Sequence, residues 1–280
     1  MPNMTEQLNE FFDRHRHWIV LSGAGISAAS GIPTYRDANG QWLRNRPIQH
    51  QEFIKHFSSR QRYWGRSMIG WPSVREARPN PHHLALTRLE ASGRSRLLIT
   101  QNVDRLHQRA GSQHVIDLHG RLDRVRCLDC GAGYEREYVQ GHLVRLNPQH
   151  PLFAAVARPD GDADLADEDV AGIRVFDCEA CGGTLMPDVV FFGGTIPKER
   201  VQRCEQAIDD ADGLLVVGSS LQVYSGFRFC KQAINRGKAL VIVNEGATRA
   251  DALAHLKIAQ HGLQSLTAAI DQLQDTTIAG

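Results

Sequence analysis

Residues Trp18–Ala28, WIVLSGAGISA, decide the fold class of this chain. The first half of this segment is a short apolar run that predicts a buried strand. The second half is a G-x-G-x-x-A turn, in which the glycines allow a tight turn and the next helix offers N–H groups to a phosphate. The segment therefore predicts strand, turn and helix, with a dinucleotide as candidate ligand. For this motif alone, an ordinary strand-to-helix turn is the alternative.

Similar apolar runs recur along the chain. They predict buried strands at Leu97–Thr100, Val115–Leu118, Leu214–Val217 and Leu240–Asn244. Helical patterns lie between or after them, at Asn80–Gly93, Lys198–Ala211, Ser225–Gly237 and Leu263–Leu273. Strands that alternate with helices predict an α/β fold, a doubly wound parallel Rossmann-like sheet.

Two segments interrupt this alternation. Residues 38–79 are rich in Arg, Gln and aromatic residues and predict a helical insertion. Residues 121–187 contain a C-x-x-C pair near each end and predict a small zinc-binding module, with an exposed acidic loop at Pro159–Val170. The Rossmann-like domain would then comprise residues 1–120 and 188–280.

Composition excludes several classes of function. The 280 residues include 32 Lys and Arg against 31 Asp and Glu, so the formal charge of +1 provides no general basic field for nucleic acid or an anionic membrane. No apolar run approaches the roughly 20 residues that a membrane helix needs. Residues 1–18 contain Glu6, Glu10 and Asp13 and no apolar core, so we expect a cytoplasmic protein.

The four paired cysteines are the strongest metal signal. Cys127 and Cys130 form one C-x-x-C pair, and Cys178 and Cys181 form the second. Two such pairs can close a tetrahedral zinc site of four thiolates, which leaves no open position for activating water. Two redox pairs are the alternative. Cys204 and Cys230 stand singly in predicted helices and are expected to be small buried residues.

Two later turns also follow predicted strands, Gly218–Ser220 and Asn244–Gly246. Because the carboxyl ends of parallel strands meet at one edge of the sheet, these turns and the first glycine turn predict one nucleotide site. A standard dinucleotide fold carries an acidic residue about 20 residues after the glycines. This chain has Arg44-Asn45-Arg46 there, so the adenosine ribose is expected to be bound elsewhere.

Several motifs, in this order, resemble the signatures of the sirtuin family. They are Gly23–Ser27, Ser30–Arg36, Thr100–Asp104, Leu118–Gly120, the four cysteines, Pro187–Gly193, Gly218–Leu221 and Val243–Asn244. Three further segments are similar to the class II branch, which includes the mitochondrial sirtuin four and many bacterial proteins: Arg46–His50, Arg60–Trp64 and Leu221–Gly226.

This resemblance implies NAD-dependent removal of acyl groups from protein lysines, with release of nicotinamide and O-acyl-ADP-ribose. It implies NAD as co-substrate, one structural zinc per chain, and acylated-lysine proteins or peptides as substrates. We expect no nucleic-acid or membrane partner, and a monomer. The alternatives that use the same NAD site are mono-ADP-ribosyl transfer and lipoyl removal. A hydride-transferring dehydrogenase and a nucleic-acid-binding zinc ribbon are weaker alternatives.

The resemblance also implies roles for single residues. His119 would be the catalytic base, with Asn102 as a second catalytic residue. The residues expected around NAD are Gly23, Ala24, Gly25, Ser27, Pro33, Tyr35, Arg36, Gln101, Asn102, Val103, Asp104, Gly218, Ser219, Ser220, Asn244, Glu245, Gly246 and Gly262. The strip expected to pair with the substrate backbone is Val189, Val190, Phe191, Phe192, Gly193 and Gly194. Asp104 also suits the start of a helix at Arg105.

These motifs do not determine which acyl group on lysine the protein prefers. Tyr63 and Arg66 have a Tyr-x-x-Arg spacing, which places both on one face of a helix. In the desuccinylase branch of the family such a pair binds acidic acyl groups, so the two side chains could clamp a distal carboxylate. The alternative is that Tyr63 packs in the core and Arg66 is one solvated arginine among many.

Overall fold

The computed structural model describes residues 3–35, 37, 47–149, 161–163, 165, 170 and 172–278, the last five as backbone only. The helices are α1 (Met4–Arg14), α2 (His50–Lys55), α3 (Phe57–Glu76), α4 (Pro81–Ala91), α5 (Leu106–Arg109), α6 (Arg136–Leu146), α7 (Lys198–Asp209), α8 (Tyr224–Asn235) and α9 (Gly262–Ile278). The strands are β1 (Trp18–Ser22), β2 (Ser95–Thr100), β3 (Val115–Asp117), β4 (Gly120–Cys127), β5 (Gly133–Glu135), β6 (Leu185–Val189), β7 (Gly213–Val217), β8 (Ala239–Val243) and β9 (Leu256–Ile258). None of the described helices is long and apolar enough to cross a membrane.

The main sheet has six parallel strands in the order β3-β2-β1-β7-β8-β9. The chain runs outward from β1 to β3 on one side and later returns beside β1 with β7, β8 and β9. Val20 of β1 pairs with Leu98 of β2 and with Leu215 of β7. This is the predicted doubly wound sheet, and the order reverses between β1 and β7, where such sheets open a ligand crevice.

Both faces of this sheet are covered, which explains the continuous apolar runs. Val20 packs into a core that includes Leu8 and Phe12 of α1 and Leu86 of α4. Its neighbour Ile19 packs into the opposite core, which α7 and α8 supply with Cys204, Ile208, Phe229 and Cys230 among others. Both single cysteines are therefore buried, as their isolated positions in helices predicted.

Helix α4 follows the predicted signals closely. The side chain of Asn80 accepts a hydrogen bond from the N–H of His82 (3.0 Å), Pro81 occupies the first helical position, and Ser92 ends the helix. Gly93 follows with a φ of +74°, a conformation that glycine adopts at little cost. The Asn80–Gly93 prediction is confirmed.

A second sheet of three antiparallel strands, in the order β5-β4-β6, carries the cysteine pairs. Helices α3 and α6 pack on it through Trp64, Met68, Val139 and Leu143. The sequence patterns predict no helices or strands within residues 121–187, and they predict neither α1 nor β9. In the 38–79 segment the structure has α2 and α3, while residues 38–46 lie outside the described residues.

Candidate active site

Two glycine turns interlock at the centre of the sheet. The N–H of Gly23 donates to the carbonyl of Val217 (3.0 Å), and that of Gly25 donates to the carbonyl of Gly218 (2.8 Å). A Cβ on Gly25 would lie 2.9 Å from the oxygen of Gly218, and one on Gly218 would lie 2.5 Å from the nitrogen of Ile26. The glycines are therefore required by the close approach of the two turns.

The segment after the first turn differs from the prediction in one respect. Ala24–Ser30 is a 3₁₀ helix rather than an α-helix. The N–H groups of Gly23 and Gly25 are bonded to the neighbouring turn, so the expected phosphate cradle does not rest on them. The glycine motif therefore forms a tight turn that lies beside a cavity.

That cavity, of about 570 Å³, lies at the carboxyl ends of β1, β2, β3, β7 and β8. It brings together most of the residues that the sequence singled out. Those lining it are Gly23, Ala24, Gly25, Ser27, Tyr35, Tyr63, Gln101, Asn102, Val103, Asp104, His119, Val189, Val190, Phe191, Phe192, Gly193, Gly194, Gly218, Ser219, Ser220, Asn244, Glu245 and Gly246.

Four expected residues are not in that set. Pro33 does not line the cavity, although Ile32, Thr34 and Tyr35 do. Gly262 lies behind the wall, where a Cβ would come 2.9 Å from Cγ1 of Val243; the lining residues are its successors Leu263 and Gln264. Arg66 does not line the cavity either. Arg36 lies outside the described residues.

His119 lies just beyond β3 with both ring nitrogens engaged. Nδ1 is 3.0 Å from the carbonyl oxygen of Gln101, and Nε2 is 2.8 Å from the hydroxyl of Ser225. A carbonyl oxygen can only accept, so we place the proton on Nδ1 and the lone pair on Nε2. Burial lowers the pKa of His119 below its usual value, so the ring is neutral near pH 7.

Asn102 and Asp104 are joined through Ser27. The hydroxyl of Ser27 donates to Oδ2 of Asp104 (2.7 Å), and the amide of Asn102 donates to the oxygen of Ser27 and to the carbonyl of Gly23, both at 3.1 Å. The other carboxylate oxygen of Asp104 accepts from the N–H of Leu106 (2.9 Å), the first residue of α5, although Arg105 and not Asp104 occupies the N-cap position. Burial raises the pKa of Asp104, although both hydrogen bonds oppose that shift.

A pair of buried histidines lies next to this network. The rings of His83 and His107 are 4.9 Å apart, and both are essentially inaccessible to solvent. Nε2 of His107 is 2.8 Å from the hydroxyl of Ser22, at the end of β1. Burial lowers the pKa of His83 to about 4 and that of His107 well below its usual value. Both rings are therefore neutral when the protein is folded near neutral pH.

Gln101 links the strand ends to one another. Its Nε2 amide donates to the hydroxyl of Ser219 (2.7 Å) and to the carbonyl of Ser22 (3.2 Å). A Cβ on Gly226 would lie 2.6 Å from Oε1 of Gln101, so helix α8 approaches this side chain as closely as a glycine permits. Gln101 therefore couples β1, β2 and the start of α8.

The strip that follows β6 runs along one wall. The N–H of Val190 donates to the carbonyl of His119 (2.7 Å), and the carbonyl of Phe192 accepts from the N–H of His50 (2.8 Å). Gly193 has a φ of +75°. The strip is thus fixed at both ends, once to the histidine loop and once to α2.

The Tyr-x-x-Arg pair divides between two environments. The ring of Tyr63 lines the cavity and packs edge-on against Phe53 and Phe191, with centroids 5.4 and 5.2 Å away. Arg66 is 8% exposed, and its guanidinium donates to the carbonyl of Leu165 (2.6 Å), within the predicted acidic loop. Arg66 therefore does not line the cavity, and it is not a solvated surface arginine either, because it is buried.

The sequence analysis did not identify Ser225 as a site residue. It lies within Leu221–Gly226, a segment that indicated only similarity to the class II branch. Its contact with His119 depends on where α8 packs, which the sequence pattern does not show. Ile32, Ile48 and Leu263 were also missed, since apolar cavity residues look like ordinary core residues in a sequence.

The four paired cysteines converge outside this cavity. Their Sγ atoms lie within 4.8 Å of one another, with Cys127 3.6 Å from Cys181 and Cys130 3.7 Å from Cys178. Thiolates around a tetrahedral zinc at about 2.3 Å would be about 3.8 Å apart, whereas a disulfide needs about 2 Å. The donor set fits a zinc ion with four thiolate ligands.

Comparison with known proteins shows the family to which this chain belongs. A protein-family model described as the Sir2 family matches residues 23–225. A protein of Bradyrhizobium diazoefficiens named NAD-dependent protein deacetylase 2 is 51% identical over 257 residues, which is 92% of this chain and 94% of the relative. One of Xanthomonas campestris pv. campestris, named NAD-dependent protein deacetylase, is 53% identical over 259 residues, covering 92% of this chain and 88% of the relative.

A solved structure extends this similarity. It is a Sir2 variant described with a deacetylated p53 peptide and 3′-O-acetyl-ADP-ribose. It superposes with a TM-score of 0.78 at 29% identity, covering 96% of this chain and 98% of that one.

Proposed function

The chain belongs to the Sir2 family, and from that premise we propose that it is an NAD-dependent protein-lysine deacetylase. The observation that carries the proposal is the position of His119. His119 lines a cavity that is also lined by the turns at the ends of β1, β7 and β8 and by the strip after β6. One cavity would therefore bring a dinucleotide and an acyl-lysine side chain to one base.

The turns at the strand ends would hold NAD. We assign the nicotinamide and its ribose to Gln101, Asn102 and Asp104, whose amide and carboxyl groups suit a carboxamide and hydroxyls. The adenosine end would lie against Asn244 and Gln264. When bound, NAD supplies a ribose carbon from which nicotinamide can leave and to which the acyl oxygen can add.

His119 would accept a proton from a ribose hydroxyl at Nε2. The carbonyl of Gln101 holds the other ring proton at Nδ1, so Nε2 keeps its lone pair. Because burial lowers the pKa of His119, the base is in its active form near pH 7. Val189–Gly194 would bind the substrate backbone by strand addition, which recognises acyl-lysine with little dependence on the flanking sequence.

For the acyl group, we propose that the cavity accepts neutral chains in preference to acidic ones. The cavity wall where the acyl group would lie is apolar, because it is formed by Tyr63, Phe191 and Ile48. Asp162, which carries a carboxyl group, also lines the cavity and would repel an acidic acyl chain. Arg66, the cation needed for a carboxylate clamp, bonds to Leu165 instead. Acetyl-lysine is therefore the first substrate to test.

The cysteine cluster would hold one structural zinc. Four thiolates complete a tetrahedral coordination shell, so the metal would stabilise the three-stranded sheet and take no part in activating water. A cytoplasmic location and a monomeric state stay predictions of the sequence.

The test is mass spectrometry of an acyl-lysine peptide panel, incubated with the protein with and without NAD. The panel contains acetyl, succinyl, glutaryl, longer fatty acyl and lipoyl forms of one peptide. We expect the acetyl peptide to lose its acyl group only with NAD, with free nicotinamide and acetyl-ADP-ribose as products.

Three outcomes would redirect or refute the proposal. Loss of only the lipoyl group would make the protein a lipoamidase on the same site. An unchanged panel, together with ADP-ribose attached to the enzyme or to an added protein, would favour mono-ADP-ribosyl transfer. Formation of NADH would exclude the whole reaction class, since acyl transfer to ADP-ribose moves no hydride.

A further inference from the structure

His119 has a second fixed partner besides Gln101. The hydroxyl of Ser225 lies 2.8 Å from Nε2, and both His119 and Ser225 line the cavity. The direction of this hydrogen bond follows from the first one. Since Nδ1 carries the proton donated to the carbonyl of Gln101, Nε2 of the neutral ring can only accept, and Ser225 is the donor.

The position of Ser225 is fixed by the packing of the first turn of α8. It belongs to the first turn of α8, and the next residue, Gly226, allows that turn to lie against the side chain of Gln101. The amide of Gln101 also bonds to Ser219, in the loop that leads into α8. Gln101 therefore accepts from Nδ1 of His119 through its carbonyl, and its side chain lies beside the helical turn that presents Ser225 to Nε2.

We propose that Ser225 is a positioning residue for the catalytic base, an inference that rests on the proposed function of His119. With a donor at Nε2 and an acceptor at Nδ1, the imidazole has one tautomer and one ring orientation. The lone pair of Nε2 is then held by the Ser225 hydroxyl at the cavity wall, until a ribose hydroxyl takes the place of that donor. Without the hydroxyl, the ring is held at one nitrogen only and can rotate or carry its proton on Nε2, where it would be inactive as a base.

The experiment compares Ser225→Ala and Ser225→Thr with the wild type. Tyr224→Phe is the matched control, because it removes a hydroxyl one residue away from an exposed ring of the same helix. Steady-state assays at saturating acetyl peptide give kcat and the KM for NAD. Nitrogen-15 NMR of ring-labelled histidine at pH 8 reports the tautomer of His119, whose signals are assigned by their loss in His119→Ala.

We expect Ser225→Ala to lower kcat about tenfold, the equivalent of one hydrogen bond, while the KM for NAD changes less than about twofold. Its NMR spectrum should show His119 shifting from the Nδ1–H tautomer to a mixture. Ser225→Thr should keep both the tautomer and most of kcat, and Tyr224→Phe should match the wild type.

The proposal is overturned if Ser225→Ala keeps either its full kcat or a pure Nδ1–H signal. It is also overturned if Ser225→Thr loses both as Ala does, because the role would then be packing. These outcomes differ from a failure of the proposed function. A wild type without NAD-dependent deacetylation refutes that function, whereas the NMR comparison still tests the bond between Ser225 and His119.

Discussion

The cavity at the strand ends and the cysteine cluster are built in opposite ways. The cavity uses residues from Gly23 to Gln264, contributed by turns that are distant in the chain and meet only when the sheet forms. The cysteine cluster uses two short motifs in which each pair of ligands is nearly adjacent in sequence. In the cavity, positions are maintained by the fold around them. In the cluster, the expected metal would itself maintain the fold.

This difference predicts different consequences of mutation. Removing a cysteine ligand should damage folding, because the free energy of metal binding is also free energy of folding. Removing a polar side chain from the cavity should damage chemistry and leave the fold, because the sheet below has its own two cores.

Cys178→Ser should lose zinc and stability together. Structural zinc sites bind with about 10–16 kcal/mol at pH 7, so an incomplete set of thiolates should leave the three-stranded sheet unfolded at ordinary zinc concentrations. Metal analysis and thermal unfolding measure both effects. Cys204→Ser is the control, since Cys204 lies in the core between α7 and the main sheet and should leave zinc in place. A full zinc content in Cys178→Ser would refute the assignment.

His119→Ala should lower kcat by about 10²–10⁴, the usual contribution of a general base. Its zinc content and circular dichroism spectrum should match the wild type, in contrast to the cysteine variant. The control is His114→Ala, which removes an exposed histidine paired with Glu90 (2.7 Å). Turnover close to that of the wild type would show that the base is another group.

Acid should destabilise the region below the cavity through its buried histidines. The folded protein holds His83 neutral with a pKa of about 4, whereas the unfolded chain protonates it near 6.5. The unfolded state therefore binds more protons between these values, and stability falls as pH decreases through that window. From pH 7.5 to 5 the loss should be about 2 kcal/mol from this residue, with His107 acting in the same direction.

Urea unfolding at both pH values measures this loss. His83→Gln cannot titrate in this range and should lose correspondingly less stability on acidification, whatever its stability at pH 7.5. If the variant shows the full acid-induced loss, the buried imidazole of His83 is not its source.

Arg66→Ala is expected to have the smallest effect on specificity. Because Arg66 bonds to Leu165 and does not line the cavity, acetyl and succinyl turnover should change by the same factor, within about twofold. The two kcat/KM values, measured on matched peptides, give the ratio. A loss confined to the succinyl peptide would restore the carboxylate clamp and contradict the preference for neutral chains.

The contrast also explains what could be predicted from sequence. The strand Trp18–Ser22, the glycine turn after it and the four cysteines are local patterns, and the structure has all of them as expected. The roles carried over by family resemblance, such as that of His119, depended on motifs rather than on physical derivation. They remain predictions until the variants are measured.

The remaining features depend on contacts between distant segments. Gly25 is required because Gly218 lies against it, and no local pattern shows that contact. Ser225 looks like any serine at the start of a helix until α8 is placed beside His119. Gly262 was predicted to contact NAD, but the cavity is lined by the next residue, Leu263. The packing of Gly262 against Val243 sets that offset, and a family resemblance does not locate a loop to the exact residue.

The central claim is that one cavity transfers an acyl group from lysine to the ribose of NAD. The most direct measurement is to follow the carbon-13 label of an acetyl-lysine peptide during turnover, together with the amount of free nicotinamide. This transfer predicts that the label appears on ADP-ribose, one acetyl group for each nicotinamide released. Label released as acetate while NAD stays intact would contradict it, because the cavity would then be that of a simple hydrolase.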